Sequence, residues 1–466
     1  MEKTKKSFKE KFIGDRAFYG KVMKVAVPIM VQNGITNFVS LLDNIMVGQC
    51  GTEAMSGVAI VNQLMFVYFL CMFGSSAGGG IFTAQYFGIR DDEGIRYTVR
   101  YKFWLMSVLS VAVIVIAVIF GSDLIGMYLN GKNEGGDLAL TLKYGLDYMS
   151  ITLFSIPAIM VGMVYSSTLR ECGETMLPMK AGVVAVMVNL VLNWLLIYGN
   201  LGFPELGVRG AAIATLVSRY VEVLIVVIWT HLHASVHTFV KGLWSSVKLP
   251  LKLAVKFFLT GAPLLVNETL WSLGIASLTQ SYSTRGLSVV AGQNIANTIN
   301  NIFNIVFIAM GDAVAIIVGQ LLGAGDMKKA KDEDNKIIAF SVFASVIVAS
   351  VMFLTSGLFP QIYNTSDEAK LIATHFIMVQ ALAMPQNGFL HTAYFTLRSG
   401  GRTIITFLFD SVFMWVVSVP AAYFLTRYTD LYVIWIFAIV NMLDWIKCIV
   451  GYVLLKKNVW MNNIVS

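Results

Sequence analysis

Six acidic residues interrupt long apolar runs of this 466-residue sequence and are the groups best suited to chemistry. They are Asp43, Glu222, Glu268, Asp312, Asp410 and Asp444. A carboxylate in apolar surroundings must be paired, bind a cation, take up a proton or face water. A site that couples cation movement to another event passes through such states in turn.

Two of the six acids have a basic residue three positions away, which places both charges on one face of a helix. Glu222 follows Arg219, and Lys447 follows Asp444. Each pair can neutralise itself, so the spacing favours a structural role for both. Asp312 follows Gly311, and its role stays open between a functional group and a cap for a break in its helix.

Glu268 is the strongest candidate for cation coupling. It lies twelve residues, about 18 Å along a helix, beyond Lys256 and has no basic residue within one turn. Asp410 lies eight residues beyond Arg402 and also lacks a local partner. We expect these two acids to share a site for a coupling ion, Na⁺ or H⁺, with no other cofactor. The alternative for Glu268 is a permanently protonated, hydrogen-bonded acid.

Asp43 is the third candidate for cation coupling. It lies about 19 residues beyond Lys24, toward the opposite end of its apolar run. The competing interpretation is that its side chain hydrogen-bonds the backbone near Gly48 and shapes that end of the helix.

Amide side chains and one tryptophan are candidates for lining a substrate cavity. Amides offer oxygen ligands and hydrogen bonds, although they equally hold neighbouring helices together in a membrane. The candidates are Asn33, Asn62, Gln293, Asn297, Asn301, Asn387 and Trp271.

The elements that must position these residues are membrane helices. Hydrophobic residues make up 57% of the chain and charged residues only 13%, against about a quarter charged in soluble domains. Apolar runs of about 20 residues predict twelve transmembrane helices in an all-α polytopic protein. The predicted spans are 22–47, 55–86, 96–120, 139–168, 178–199, 208–232, 253–283, 287–322, 333–358, 369–396, 403–427 and 431–455.

The same six-span unit occurs twice along the chain. Pro28 and Pro263 are 235 residues apart, and so are Gln85 and Gln320. Further along, matching residues are 228 apart, as in Arg170 and Arg398. Because each unit has an even number of spans, the repeats must be related by a pseudo-two-fold axis along the membrane normal. Internal repeats of this kind are typical of secondary transporters.

Charge distribution predicts the orientation. Of the 34 Lys and Arg residues, 26 lie in the two tails and the even-numbered loops, so both termini are expected in the cytoplasm of a plasma (inner) membrane protein. This pattern accounts for the basic balance without a nucleic-acid partner. No obligate protein partner is predicted. The expected divisions are a basic tail (1–21), a first lobe (22–232), a linker (233–252), a second lobe (253–456) and a tail (457–466).

Several motifs resemble those of multidrug and toxic compound extrusion (MATE) transporters. They are DNIMVGQCG from Asp43, FGIRDDEGIR after span 2, NWLLIYGNLGFPELGVRGAAIAT from Asn193, AGQNIANTI from Ala291, VGQLLGAGDMKKAKD from Val318, and the paired LRECGET and LRSGGRT loops. The resemblance implies two six-helix lobes that alternate access to a central cavity. It also implies export of bulky, often cationic organic compounds, coupled to inward Na⁺ or H⁺.

The chain departs from the family pattern at two places. Where family members with a first-lobe site have a second aspartate on span 5, this sequence has Asn193. Near the family's span-10 aspartate it has Asn387, and an acid appears on span 11 instead, as Asp410. The resemblance therefore favours a second-lobe ion site without fixing its ligands.

Two other functions compete with cation-coupled export. The first is a lipid-linked oligosaccharide or lipid flippase of the same superfold, whose cavity would hold pyrophosphate with several basic residues. Away from the ends of the spans, the only basic residues are Arg219 and Lys447, each near an acid. The second is an intramembrane enzyme, but no HExxH, Walker A or GxSxG motif occurs, so we expect no enzymatic activity.

Overall fold

The protein is helical throughout the part of the chain that the computed structural model describes, residues 8–129 and 137–465. No β-strand occurs in those residues. The α-helices are α1 (Phe8–Phe12), α2 (Arg16–Gly48), α3 (Thr52–Gly88), α4 (Asp92–Leu129), α5 (Leu138–Thr152), α6 (Ile156–Glu171), α7 (Met176–Tyr198), α8 (Val208–Leu232), α9 (Leu251–Ser283), α10 (Leu287–Gly323), α11 (Met327–Thr355), α12 (Asp367–Ser399), α13 (Thr403–Phe407), α14 (Val419–Tyr428), α15 (Val433–Met442) and α16 (Asp444–Lys456).

The long apolar helices match the predicted membrane spans. Among the described residues, eleven helical segments are long and apolar enough to cross a membrane. The twelfth long helix, α12, takes the place of the predicted tenth span. It is less apolar because it carries residues such as Gln380, Gln386 and His391. Most of its C-terminal half is buried among other helices. The prediction of an all-α, multi-pass membrane protein is confirmed.

The first long helix begins earlier than predicted. The side chain of Asp15 accepts a hydrogen bond from the backbone N–H of Phe18 at 2.7 Å, so α2 starts at Arg16 rather than at 22. The predicted basic tail (1–21) therefore includes α1 and the first turns of α2. Residues 1–7 of that tail lie outside the described residues.

Three predicted spans contain interruptions that hydrophobicity does not reveal. The span at 139–168 has a 3₁₀ turn at Leu153–Ser155, just before Pro157, which lacks the N–H that would continue an α-helix. The span at 403–427 contains two π-helical segments, Leu408–Val412 and Met414–Ser418. The span at 431–455 is interrupted at Leu443. Such distortions change which side chains share a helix face.

The segment between α8 and α9 is a loop with one 3₁₀ turn, Thr238–Val240. Arg100 of α4 is buried and donates hydrogen bonds to the carbonyls of Gly242, Leu243 and Lys248. Trp244 donates to the hydroxyl of Tyr165 at 2.8 Å. The loop is therefore held against α4 and α6 by side chains that replace the missing helical hydrogen bonds.

The chain divides into two compact units that do not follow the repeat boundary. One unit contains Ala84–Arg90, the described residues up to Met30 and those from Leu259 onward; the other contains Val31–Thr83 and Asp91–Phe258. The division passes through α2, α3 and α9. The lobes predicted at 22–232 and 253–456 follow the sequence repeat and stay a prediction.

A close helix crossing occurs in each unit, and the two crossings lie at equivalent positions of the repeat. In one unit, a Cβ atom at Gly57 of α3 would lie 2.7 Å from the carbonyl oxygen of Thr141 and 2.8 Å from the nitrogen of Gly145. In the other, a Cβ at Gly292 of α10 would lie 3.1 Å from backbone atoms of Ala369 and Ala373. Because glycine lets backbones approach this closely, the repeat has kept the residue that the crossing needs.

Candidate functional site

A connected polar cluster within the predicted spans surrounds Asp410. This residue lies in the π-helical segment Leu408–Val412, and π-helical turns are common at functional sites. One carboxylate oxygen, Oδ1, lies 3.2 Å from Nζ of Lys447 on α16. The other, Oδ2, accepts a hydrogen bond from Nδ2 of Asn267 on α9 at 3.2 Å. Three helical segments therefore meet at one carboxylate.

Asn267 connects the members of this cluster. It is only 1% exposed, and its amide nitrogen lies 3.3 Å from the hydroxyl of Tyr394 on α12. Its side-chain oxygen accepts from the backbone N–H of Ser411 at 3.3 Å and from the Ser411 hydroxyl at 2.7 Å. These bonds fix α9 against the π-helical segment, so that Asp410 has a defined orientation toward α9.

Lys447 corrects the expectation that Asp410 lacks a basic partner. Its side chain is 10% exposed, and its Nζ also lies 3.8 Å from Asp444, the partner that the sequence predicted. The ammonium is nevertheless closer to Asp410 than to Asp444. One lysine thus serves two carboxylates, which lowers the cost of keeping both ionised within the protein.

Glu268 follows the connecting asparagine directly on α9 and is half-buried. The charge of Arg398 on α12 attracts its carboxylate, and that of Asp410 repels it. The neighbourhood therefore contains three acids, Glu268, Asp410 and Asp444, and two bases, Arg398 and Lys447. If all five are ionised, one negative charge is left, which a single cation would neutralise.

Asp43 lies in a different network, built from amides. Its carboxylate accepts a hydrogen bond from Nδ2 of Asn193 on α7 at 2.6 Å. The same nitrogen lies 3.2 Å from the side-chain oxygen of Asn189. Arg219 forms the predicted ion pair with Glu222 at 2.9 Å, and its charge also attracts Asp43. Asp43 contacts an amide rather than a second acid, at the position where the sequence departs from the family.

The remaining sequence-predicted residues are spread over several helices. Asn62 accepts a hydrogen bond from the hydroxyl of Tyr148 at 3.4 Å. Asn297 accepts one from Gln380 at 3.3 Å. Gln293 is buried and donates to the hydroxyl of Thr279 at 3.4 Å. These contacts join neighbouring helices and agree with the structural role that amides often have in membranes.

Four other predicted residues differ in accessibility. Asn33 on α2 and Asn387 on α12 are half-buried. Asn301 on α10 and Trp271 on α9 are exposed. Exposure at the surface of a membrane protein includes faces that meet lipid, so it does not by itself distinguish a cavity from the bilayer. Their assignment to a substrate cavity stays a prediction.

Asn267, Ser411 and Tyr394 were not predicted from the sequence, and Lys447 was assigned only to Asp444. The repeat contained a usable signal for two of these residues. Asn267 is equivalent to Gln32, and Lys447 is equivalent to Arg219, which shows that each half has a polar residue and a base at matching positions. Among the described residues, no group of three or more His, Cys, Asp or Glu side chains could hold a metal ion. A coupling cation at Glu268 would therefore rely on few acidic ligands.

Known proteins match both halves of the chain. The family model described as MatE matches residues 28–195 and 263–424, one match in each half of the repeat. A probable multidrug resistance protein of Bacillus subtilis, YoeA, is 23% identical over 410 residues, which is 87% of this chain and 86% of that protein. A probable multidrug resistance protein of Thermotoga maritima, NorM, is 26% identical over 429 residues, or 88% and 86% of the two chains.

Solved structures show the same fold. One is the outward-facing conformation of a multidrug resistance MATE family transporter of the MOP superfamily, with a TM-score of 0.81 and 20% identity over 98% of both chains. At that identity the likeness establishes the fold alone. It confirms the predicted fold class of two six-helix lobes.

Proposed function

Because the chain belongs to the MatE family, we propose that it exports bulky organic cations by antiport with Na⁺ or H⁺, and that Glu268 carries the coupling ion. The observation that supports this assignment is the imbalance of charge around Glu268. Lys447 and Asn267 already occupy both oxygens of Asp410. Among the described residues, Glu268 is the acid of this cluster whose carboxylate has neither a hydrogen bond nor an ion pair, which leaves its oxygens available to a cation.

The proposal revises the role of Asp410. The sequence pattern assigned the ion to Glu268 and Asp410 together, whereas the lysine contact favours a division of roles. In the proposed site, Lys447 is a permanent cation for Asp410, and the mobile cation occupies Glu268. Asp410 then influences the affinity of Glu268 through its charge rather than as a direct ligand.

The substrate class rests on relatives whose names describe multidrug resistance and on the chemistry of the predicted cavity residues. Amides and aromatic rings suit flat organic cations, because a ring face attracts positive charge and amides provide adaptable hydrogen bonds. We place the protein in the plasma membrane with both termini in the cytoplasm, an orientation supported by the basic loops.

The net charge that crosses the membrane in each cycle determines what drives export. One elementary charge that crosses the membrane yields about 2.3 kcal/mol per 100 mV. If one coupling cation exchanges for one monovalent organic cation, however, no net charge crosses. The ion gradient alone then drives export, and the membrane potential has no influence. Export of a neutral substrate with the same stoichiometry would gain about 50-fold in concentration ratio at 100 mV.

The test is ethidium transport in proteoliposomes, with sodium, proton and potential gradients imposed separately. Wild-type protein is expected to respond to one ion gradient and not to a potassium diffusion potential. Glu268→Gln should lose the response to the ion gradient. Glu205→Gln, the same change at an exposed loop residue, is the matched control and should transport normally.

Two outcomes would contradict the proposal. Full gradient-driven transport by Glu268→Gln would remove the assignment of the coupling ion. Failure of the wild-type protein to move any organic cation under either gradient would favour the flippase alternative.

A further inference from the structure

A second acid, which the proposed mechanism does not use, is buried between α11 and α12. Asp334 is only 2% exposed and lies seven residues, about 10 Å, beyond the start of α11. Its carboxyl oxygen Oδ1 lies 2.6 Å from the hydroxyl oxygen of Thr396 on α12, which is fully buried. Asp334 was not a candidate from the sequence because it stands among charged residues at the end of a predicted span.

The hydrogens around Thr396 can be counted. The hydroxyl oxygen lies 2.6 Å from Asp334 and also 2.9 Å from the backbone carbonyl oxygen of Thr392. A hydroxyl has one hydrogen, and an ionised carboxylate and a carbonyl are both acceptors only. If Thr396 donates to the Thr392 carbonyl one turn earlier, the 2.6 Å contact is a hydrogen bond only when Asp334 is protonated and donates to Thr396. Burial without a counter-charge favours this arrangement over an ionised Asp334 that accepts from Thr396.

The surrounding charges agree with this assignment. Within the described part of the chain, no basic side chain forms an ion pair with Asp334. A buried carboxylate without a counter-charge is costly and normally becomes neutral instead. The charged groups on neighbouring elements have other contacts. Lys21 of α2 and Lys329 pair with Glu333, Lys336 pairs with Asp332, Arg398 of α12 lies over the ring of Phe395, and Lys11 of α1 lies over the ring of Phe12. Other titratable groups on these helices are Glu10 of α1, Arg16, Lys24 and Asp43 of α2, Asp312 of α10, Lys328 and Lys331 of α11, and Asp367, Glu368, Lys370, His375 and His391 of α12. His391 packs on Phe307 and Phe395.

Asp334 stands at the end of a buried polar seam. Ser341 and Ser345 share its face of α11, and both are at most 1% exposed. Ser341 donates to the carbonyl of Gly388 on α12 at 3.2 Å, whereas the hydroxyl of Ser345 has no hydrogen-bond partner among the described residues. The buried contact between α11 and α12 therefore contains other hydroxyls besides that of Thr396.

The first half of the repeat has different side chains around the equivalent threonine. Thr168 is equivalent to Thr396, and its hydroxyl lies 3.4 Å from Nζ of the fully buried Lys102. That lysine pairs with Glu171 at 2.5 Å. The position equivalent to Asp334 is Val99. The fold therefore does not require an acid here: the equivalent threonines contact a buried acid in the second half and the lysine of an ion pair in the first.

We propose that Asp334 is a second proton-binding site of this protein and that it takes up and releases a proton during the transport cycle. The proposal rests on the proposed cation-coupled transport. The ligand is the proton itself, and Thr396 is the hydrogen-bond partner that stabilises the protonated acid. Release follows when α12 moves relative to α11, because the neutral form then loses its acceptor.

The first experiment detects the proton without measuring transport. Infrared difference spectra between acid and alkaline pH are recorded for wild type and Asp334→Asn in liposomes. We expect a protonated-carboxyl stretching band that is absent in Asp334→Asn. The band should shift in Thr396→Val, which removes the hydroxyl, and stay in place in Thr396→Ser, which retains it. Identical carboxyl bands in wild type and Asp334→Asn would overturn the proposal.

The second experiment asks whether the proton is used. The pH profile of gradient-driven ethidium transport should shift in Asp334→Asn, since the variant lacks the carboxyl that takes up and releases the proton. A profile that superimposes on wild type would show a structural acid and overturn the proposal, while the role of Glu268 would stand. Conversely, normal coupling in Glu268→Gln combined with a shift in Asp334→Asn would reject the proposed role of Glu268 and support this site. If Asp334→Asn does not fold, Thr396→Val provides the same comparison with Thr396→Ser.

Discussion

The two halves of the repeat place different chemistry at the same positions. In the first half, Gln32 accepts a hydrogen bond from Arg170 at 2.5 Å and lies against Gly182, whose added Cβ would meet the Gln32 amide at 3.0 Å. In the second half, the equivalent of Gln32 is Asn267, which donates to Asp410, the equivalent of Gly182. In the first half the amide thus faces a glycine, which has no side chain. In the second half the equivalent amide faces a carboxylate.

The basic residue on the sixth span of each half shows the same divergence. Arg219 pairs with Glu222 one turn further along its own helix, and its side chain is 36% exposed. Lys447 is 10% exposed and reaches another helical segment to contact Asp410. Duplication therefore preserved the position of the base, while substitutions changed what it neutralises.

This difference shows how a repeated scaffold acquires an asymmetric site. Glycines at helix crossings and bases on the sixth span recur in both halves because packing and charge placement depend on them. The acids of the second-half cluster do not recur in the first half. The position equivalent to Glu268 is Asn33, and the position equivalent to Asp410 is Gly182. The second half is consequently the one in which five charged groups gather in one cluster.

Removal of Lys447 should cause the largest loss of stability among these substitutions. Lys447→Met leaves Asp410 and Asp444 in the protein interior without their cation, and loss of one member of a buried pair costs about 3 kcal/mol or more. We expect a clearly lower melting temperature of the purified protein, and lower expression.

The paired variant separates charge from packing. Lys447→Met combined with Asp410→Asn removes both members of the closer pair and should recover most of the lost stability, because no uncompensated Asp410 remains. If the double variant is as unstable as the single one, Lys447 acts through packing or through Asp444, and its assignment to Asp410 is wrong.

Substitution of the glycines at the two helix crossings should cause an intermediate loss of stability that differs between the halves. Gly57→Ala places a methyl group 2.7 Å from backbone, whereas Gly292→Ala meets backbone only at 3.1 Å and a side-chain methyl of Ile372 at 2.9 Å. Overpacking costs about 1–3 kcal/mol, and we expect Gly57→Ala to lie at the upper end and Gly292→Ala at the lower. Thermal melting measures the difference.

A third glycine serves as the control for this pair. A methyl group added at Gly126 of α4 would have no described atom within 4 Å, so Gly126→Ala should be neutral or slightly stabilising. Equal losses at Gly57 and Gly292 would show that the two crossings are equally tight, and that the halves differ only in their charges.

The sequence predicted the helices well because their signal is local. Long apolar runs and the repeat placed the spans, and α8 begins and ends where predicted, at Val208 and Leu232. The 3₁₀ turn before Pro157 and the π-helical segments around Asp410 were not predicted. They depend on contacts with neighbouring helices, as in the bonds between Ser411 and Asn267, and these leave no periodic signal.

The candidate site was predictable only in part. An acid within an apolar run is visible in the sequence, so Glu268, Asp410 and Asp43 could be selected. The partner of each acid could be predicted only when it lay within one turn, as Glu222 does for Arg219. Lys447 and Asp410 are 37 residues apart, and their contact depends on how α16 packs against the π-helical segment. Asp334 was missed because its burial comes from α12, a helix that begins more than thirty residues later.

Removal of the first-half base should give the smallest effect. Arg219→Met breaks a pair whose arginine is 36% exposed and whose partner lies on the same helix, a geometry that contributes about 0.5 kcal/mol. Asp43 also loses an attracting charge, but it keeps the hydrogen bond from Asn193. The expected change in melting temperature is therefore a small fraction of that in Lys447→Met. Glu222→Gln is the matched control and should behave like Arg219→Met, since both remove the same pair. If Arg219→Met is instead as damaging as Lys447→Met, the first half also depends on its base to hold an interior acid. The two halves would then share one electrostatic design, and the asymmetry proposed for the second-half cluster would be wrong.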